Sequence, residues 1–137
     1  ITDPLAIYED VFTAGSINQD GNISAFSSLG PVLIDGSNRK KPDLLAPGEK
    51  ILSSYPGGTY SEASGTSFSA PHVTGVVALM WSANPKLIGE VALTRQILQE
   101  SAQPYTDGST SCGPPQHESG AGILDAYAAV KAAIAVK

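Results

Sequence analysis

One short stretch of the sequence joins a possible nucleophile to the predicted start of a helix. Residues 65–73 read Gly-Thr-Ser-Phe-Ser-Ala-Pro-His-Val, and Ser67 stands just before the helical pattern begins. The first backbone N–H groups of a helix lack intrahelical acceptors and lie at the positive end of the helix dipole, so they can stabilise a negatively charged oxygen. A serine hydroxyl beside them could attack a carbonyl carbon and leave the oxyanion next to these donors. The same residues also fit a serine that only caps the helix, so the residue types alone leave both interpretations open.

Short extended segments precede Ser67 in the chain. Residues 10–17 are rich in β-forming side chains and end at a turn, which predicts a strand. Residues 44–46 and 51–55 each precede a Pro/Gly turn, and their short apolar runs predict two more strands, both buried. Strands with little polar alternation are typical of a sheet covered on both faces. The chain is therefore expected to form part of a layered α/β sheet.

Three helices are predicted after Ser67. The first is indicated by apolar side chains at positions i, i+3, i+4 and i+7, which are Val73, Val76, Val77 and Met80. Pro71 is expected in the first turn of this helix, and Asn84-Pro85 ends it. A second helical pattern runs to about Ala102, and a third helix is expected to begin at the N-cap Asp125. The buried stripe of the third helix would consist of Tyr127, Val130 and Ile134.

Length and composition exclude several classes of function. The chain has 137 residues, enough for one domain or part of one. Its net charge is −5. Its one basic cluster, Arg39-Lys40-Lys41, has no interleaved aromatic residues and is expected to be a solvated loop, so nucleic-acid binding is not expected. Polar residues interrupt the apolar segments, so no membrane span is predicted. The single cysteine, Cys112, can form neither a disulfide within the chain nor a zinc site built from several cysteines.

Residues 65–73 resemble the G-T-S-x-[SA]-x-P-H-V signature around the nucleophilic serine of the subtilisin-like serine proteases (subtilases, peptidase S8). Four more segments resemble successive segments of this family in the same order, so that nearly the whole chain is covered; they are residues 12–15, 26–31, 41–48 and 122–126. The G-x-S-x-G motif of α/β-hydrolases is absent, because Ser69 stands two residues after Ser67. The resemblance implies that Ser67 is the catalytic nucleophile.

The resemblance also implies a fold and a second half of the catalytic domain. The expected fold is α/β, a three-layer sandwich with a mainly parallel sheet, and residues 1–137 would be the C-terminal half of the catalytic domain. The catalytic Asp and His of the family precede the serine in the chain, and so does its oxyanion Asn. His72 matches a buried structural position of the motif and His117 lies in a late loop, so neither is expected to be the base. An N-terminal half of the same domain is therefore expected to supply Asp, His and Asn.

The implied function is a secreted serine endopeptidase that acts on polypeptides through an acyl-enzyme. The chain alone is expected to be inactive, because a serine hydroxyl is a poor nucleophile without a base. No cofactor is expected for the chemistry. A structural Ca²⁺ or Na⁺ is expected at most at the backbone carbonyls of Ala6, Tyr8 and Val11, where many subtilases hold a weakly bound cation.

Two questions stay open at this point, the activity of the parent protein and the role of Asp3. A homologue that has lost Asp or His could use the same scaffold as a binding or structural module. Intact upstream D-[ST]-G and H-G-T-H-V segments would favour hydrolysis, and loss of either would favour the binding module. The resemblance places Asp3 at the floor of the pocket for the residue before the scissile bond, where it would favour basic side chains. The plainer interpretation of Asp3 is an exposed loop residue. Asp20-Gly21-Asn22 and residues 107–109 fit turns and lack the spacing of an EF-hand.

Overall fold

Two parallel strands form the centre of the fold. The computed structural model describes residues 1–106 and 116–137. Strand β1 (Ala14–Ile17) pairs in parallel with β2 (Leu44–Pro47), and Ala14 lies opposite Leu44. An isolated parallel bridge from Leu45 to Ile123 extends this sheet on the far side of β2. Strand β1 is shorter than the predicted residues 10–17, because the N–H of Thr13 donates to the side chain of Asp43 rather than to a neighbouring strand.

A surface hairpin replaces one of the predicted buried strands. Strand β3 (Ile51–Tyr55) pairs antiparallel with β4 (Thr59–Ala63), which the sequence reasoning missed. The turn between them uses Gly57 and Gly58 at φ of 84° and 74°, values that favour glycine. The prediction that β3 is buried is wrong, since every residue of β3 after Ile51 is exposed. Apolar character in a short segment does not by itself show which neighbour will cover it.

In the part of the chain that the structure describes, four α-helices and one short 3₁₀ helix follow the strands. Their bounds are α1 Thr66–Ala83, 3₁₀ Pro85–Leu87, α2 Val91–Glu100, α3 Gln116–Ser119 and α4 Ala126–Ala135. The predicted end of α1 at Asn84-Pro85 is confirmed, and so is the N-cap of α4, where the Asp125 carboxylate accepts a hydrogen bond from the N–H of Ala128 at 2.8 Å. Asn84 also ties the end of α1 to the end of α4, because its side-chain amide donates to the carbonyls of Ala133 and Val136.

The core lies where helices α1, α2 and α4 cover one face of β2. Leu44 and Ala46 point to this face from alternate positions of the strand. The other buried members are Val73, Val76, Met80, Leu87, Ile97, Leu98, Ala129 and Ala133. The parallel strand pair and the helices packed on it form an α/β arrangement that places the N-terminus of α1 beside the ends of β1 and β2.

Helix α4 contacts the core through alanines rather than through its large side chains. Ala129 and Ala133 are fully buried, whereas Tyr127 and Ile134 are 78% and 62% exposed. The predicted buried stripe of Tyr127, Val130 and Ile134 is therefore wrong for its two ends. Small side chains on the inner face allow α4 to lie close to α1, and the large apolar residues are left on the outer side.

Among the residues described, no helix is long and apolar enough to cross a membrane. Cys112 and the predicted turn at residues 107–109 lie outside the described residues, as does the side chain of His117.

Candidate active site

Ser67 lies in the first turn of helix α1. The helix begins at Thr66, with Gly65 as its N-cap residue, so Ser67 is inside the helix and not ahead of it as predicted. For the same reason the prediction that Pro71 lies in the first turn is wrong, since Pro71 is the sixth residue of α1. The ring of Pro71 removes the N–H that would bond to the carbonyl four residues earlier, which is that of Ser67. The carbonyl of Ser67 therefore lacks the i+4 backbone hydrogen bond that an interior residue of a helix has.

The side chain and the backbone N–H of Ser67 are both available to a ligand. The residue is exposed, and neither its hydroxyl nor its N–H has a hydrogen-bond partner within residues 1–106 and 116–137. The N–H of the next residue, Phe68, already donates to Gly65 at 3.0 Å. A free N–H at the positive end of an 18-residue helix is the kind of donor that an oxyanion requires.

Three small residues hold the start of α1 against the sheet. The buried hydroxyl of Ser69 donates to the carbonyl of Ala46 at 3.1 Å. Gly48, just after β2, accepts a hydrogen bond from the N–H of Gly65 at 2.8 Å. A Cβ atom on Gly48 would lie 2.8 Å from the Gly65 carbonyl and 2.5 Å from the hydroxyl of Ser16, and would also meet that of Ser69. Gly48 is therefore a positioning residue for Ser67 that the sequence reasoning did not single out, although Pro47-Gly48 was noted as a turn.

A cavity of about 540 Å³ opens beside Ser67. Helix α1 contributes Thr66, Ser67 and Ala70 to it, and most of the remaining wall comes from the N-terminal segment. That wall consists of Ile1, Asp3, Leu5, Ala6, Val11, Phe12, Thr13 and Ala14, and Ser28 and Pro42 complete the lining. Its lining is mostly apolar, and Asp3 is the one charged side chain among the described lining residues. The cavity can take a substrate side chain next to the hydroxyl of Ser67.

Asp3 is both an exposed loop residue and part of this cavity. Its carboxylate accepts hydrogen bonds from the N–H groups of Leu5 and Ala6, at 2.9 and 3.3 Å. Both bonds use the same oxygen, Oδ1, and they close a local turn. The structure thus places Asp3 in the wall of the same cavity as Ser67 without assigning it a ligand.

His72 does not act on Ser67. Its Nδ1 lies 2.7 Å from the carbonyl oxygen of Phe68, which can only accept, so Nδ1 carries the proton and donates. The ring is half-buried rather than buried as predicted, and its hydrogen bond holds it along the turn of α1 that precedes it. The expectation that His72 is not the base agrees with this geometry.

The carbonyls expected to bind a structural cation are already bound by donors of the chain. The hydroxyl of Thr13 donates to the Ala6 carbonyl at 3.1 Å, and the N–H of Val11 donates to the Tyr8 carbonyl at 3.3 Å. The Val11 carbonyl accepts from the ammonium group of Lys41 at 2.5 Å. A second cation beside this ammonium would be repelled, so these residues do not fit a Na⁺ or Ca²⁺ ion. No group of three or more His, Cys, Asp or Glu side chains suited to a metal occurs among the described residues either.

Two carboxyl groups outside the cavity have clearly lowered pKa values. The hydroxyl and N–H of Ser37, followed by Arg39, lower the pKa of Asp35 to about 2. The N–H of Ala128 and then the side chain of Gln103 lower the pKa of Asp125. Both shifts arise from donors that stabilise the ionised carboxylate, and both belong to structural turns and caps rather than to the site of Ser67.

Comparison with known proteins gives one consistent result. The model of the subtilase family (peptidase S8) matches residues 3–123. Bacillopeptidase F of Bacillus subtilis is 38% identical over 128 residues, which are 93% of this chain and 8% of that protein. An intracellular serine protease of Paenibacillus polymyxa is 44% identical over 73 residues, which are 53% of this chain and 20% of that protein.

Solved structures agree with the sequence relatives. The patellamide maturation protease PatA superposes with a TM-score of 0.71 at 30% identity over 93% of this chain and 44% of that one. The CspB protease of Clostridium perfringens gives 0.72 at 29% identity over 94% of this chain and 28% of that one. The chain thus spans less than half the length of each of these four relatives. The predicted α/β class and the predicted family are confirmed, and the chain belongs to the subtilase family of serine proteases, which are hydrolases of peptidase class S8.

Proposed function

We propose that this chain carries the nucleophile of a serine endopeptidase, and that Ser67 is that nucleophile. The observation that carries the proposal is the state of Ser67: an exposed hydroxyl and an unbonded N–H, within the described residues, at the N-terminus of α1 beside a cavity of about 540 Å³. A serine that only capped the helix would instead have its side chain bound to a backbone N–H, and the helix has no such cap bond.

The proposed reaction is acyl transfer from a polypeptide. The hydroxyl oxygen of Ser67 attacks the carbonyl carbon of the scissile bond while a histidine takes its proton. The N–H of Ser67 donates to the oxygen that becomes negative. The tetrahedral intermediate then collapses, the C–N bond breaks, and the histidine returns the proton to the leaving amine. Water hydrolyses the resulting ester by the same steps and frees Ser67.

The base for this reaction is proposed to come from an N-terminal half of the same catalytic domain. His72 is bound to Phe68, and no other histidine side chain lies among the described residues. A second half that brings His, Asp and an oxyanion Asn to the open side of the cavity would complete the site. The 137-residue chain by itself should then show no appreciable hydrolysis of peptides.

The proposed place of action is outside the cell, as the subtilase resemblance implies. One relative is named an intracellular serine protease, so the family alone does not decide the compartment. Immunoblots of culture medium and washed cells of the source organism test this part of the proposal, and a signal confined to the cells would contradict it.

The experiment that tests the function compares two serines on the same helix. The gene product, with whatever sequence the gene encodes on either side of this chain, is assayed for cleavage of casein and of fluorogenic peptides. Ser67→Ala should abolish cleavage and leave the melting temperature unchanged, because the Ser67 hydroxyl has no described partner to lose.

Ser69→Ala is the matched control. It removes the hydrogen bond to Ala46 and should cost about 0.5–1.5 kcal/mol of stability while cleavage persists. Cleavage that survives Ser67→Ala would contradict the role of Ser67. A gene product that carries the upstream Asp and His segments of the family and shows no cleavage would contradict the proposed function, whereas one that lacks either segment would favour the non-catalytic homologue.

A further inference from the structure

Three cationic side chains hold one short segment of backbone, residues 7–11. The carbonyl oxygens of alternate residues in this segment each accept a hydrogen bond from a different cation. The pairs are Arg39 with Ile7, Arg95 with Glu9 and Lys41 with Val11, at N···O distances of 2.6, 2.6 and 2.5 Å. Arg39 and Lys41 belong to one loop and Arg95 belongs to α2, and each lies at least 30 residues from the carbonyl that it binds. This clamp is therefore formed only when the chain folds.

Asp43 connects two of these cations. Its carboxylate lies 2.7 Å from the ammonium of Lys41 and 2.6 Å from the guanidinium of Arg95. It also accepts a hydrogen bond from the N–H of Thr13 at 2.7 Å. Lys41 and Asp43 are almost fully buried, with 2% and 5% of their surface exposed. One buried carboxylate thus balances one of two positive charges, and the carbonyl oxygens of residues 9 and 11 face the remaining positive charge.

We propose that the ammonium of Lys41 is a built-in replacement for a structural metal ion in this chain. The segment it holds includes Val11 and leads into Phe12 and Thr13, all three of which line the cavity beside Ser67. This part of the cavity wall therefore keeps its conformation without bound Na⁺ or Ca²⁺. The proposal concerns the stability of the wall and does not depend on whether the protein hydrolyses peptides.

The geometry leaves no position for a metal beside Lys41. A metal at this place would need oxygen ligands such as the Val11 carbonyl and the Asp43 carboxylate. Both of these already lie within hydrogen-bond distance of the Lys41 ammonium, at 2.5 and 2.7 Å. Metal binding would have to displace the buried ammonium from both of these partners, or place a second cation beside it, and both are unfavourable.

Removal of the Lys41 side chain should therefore create a cation site that the natural protein lacks. In Lys41→Ala, the Val11 carbonyl and the Asp43 carboxylate would face a space of the size of the lost side chain. Oxygen ligands of this kind bind Na⁺ or Ca²⁺. The variant should be less stable than the natural protein in the absence of metal and should regain part of the loss when metal is added.

The test is thermal unfolding of the gene product with and without metal ions. The melting temperature is measured in EDTA with choline chloride, and again after NaCl or CaCl₂ is added at constant ionic strength. Any cation bound elsewhere in the protein shifts the natural protein and the variants equally, so the readout is the difference between them. In EDTA, Lys41→Ala should melt lower than the natural protein by more than about 5 °C, and metal should raise its melting temperature more than that of the natural protein.

Lys40→Ala is the matched control, because Lys40 is the adjacent lysine and is exposed. It should lower the melting temperature by about 2 °C at most and should respond to metal like the natural protein. Equal metal responses of Lys41→Ala and the natural protein would overturn the proposal. So would a metal response of the natural protein that disappears in Asp43→Asn.

A second measurement needs no variant and so remains decisive even if Lys41→Ala does not fold. Crystals of the natural protein are soaked in terbium chloride, as a probe for Ca²⁺ sites, or in thallium acetate, as a probe for sites of monovalent cations. The anomalous difference map should show no peak beside the Asp43 carboxylate. A peak between Asp43 and the Val11 carbonyl would overturn the proposal.

Discussion

Gly48→Ala should destabilise the protein and displace the start of the helix that carries Ser67. A Cβ on residue 48 would lie 2.8 Å from the carbonyl oxygen of Gly65, well inside the contact distance of real Cβ atoms. The nearby serine hydroxyls can rotate away, but the Gly65 carbonyl is backbone, two residues before Ser67. Insertion of a methyl group into such a space costs about 1–3 kcal/mol. For a chain of this size the melting temperature should fall by about 4–12 °C.

The assay is thermal unfolding followed by far-UV circular dichroism, with Gly75→Ala as the matched control. Gly75 is inside α1, and a Cβ there would meet nothing within 4 Å. Alanine has a higher helix propensity than glycine, so the free energy of unfolding of this variant should rise by about 0.5–1 kcal/mol and its melting temperature by about 2–4 °C. Peptide cleavage should fall in Gly48→Ala and persist in Gly75→Ala. Gly48→Ala with natural stability and activity would refute the reasoning about how Ser67 is held.

The remaining predictions concern the core, a buried hydrogen bond and a helix cap. Met80→Ala should cost about 2–5 kcal/mol in urea unfolding because Met80 is fully buried, whereas Leu79→Ala, at a position 56% exposed, should cost far less. Thr94→Val removes the acceptor of the Trp81 indole N–H, 3.0 Å away, and should destabilise by about 1–3 kcal/mol and change the fluorescence of this single tryptophan; an unchanged emission would contradict the bond. The pKa of Asp125 is lowered in the folded state, so its contribution to stability is present above its ordinary pKa and is lost as the pH falls through the lowered value; Asp125→Ala should therefore lose less stability than the natural protein in unfolding experiments as the pH is lowered through this range.

Local sequence patterns predicted the ends of the helices correctly, but they did not predict which strands are buried. The end of α1 and the cap of α4 were predicted because their signals, Asn84-Pro85 and Asp125, act on adjacent backbone. Burial of β3 was predicted wrongly because exposure depends on which distant element covers a strand. The exposure of Tyr127 and Ile134 has the same cause. The face of α4 that packs on the core is set by distant elements, and these cover the face with Ala129 and Ala133.

In the candidate site too, features that depend on adjacent residues were predicted, and features that depend on long-range contacts were not. Ser67 and its helix were found from one continuous motif of residues 65–73. Lys41 was interpreted as part of a solvated basic loop, although it is 2% exposed. Its partners are Val11, thirty residues earlier, and Asp43, which is itself buried by the fold. A buried lysine cannot be distinguished from a surface lysine by composition, because the distinction lies in long-range contacts.

The most direct test of the central claim is the reaction of Ser67 with a fluorophosphonate probe. The probe is applied to the 137-residue chain alone and to the whole gene product, and mass spectrometry identifies the labelled residue. The account predicts that Ser67 is labelled in the whole gene product, where a histidine activates it, and not in the chain alone. Label on another residue, or no label in a whole gene product that carries the upstream Asp and His segments, would contradict the assignment of Ser67 as the nucleophile.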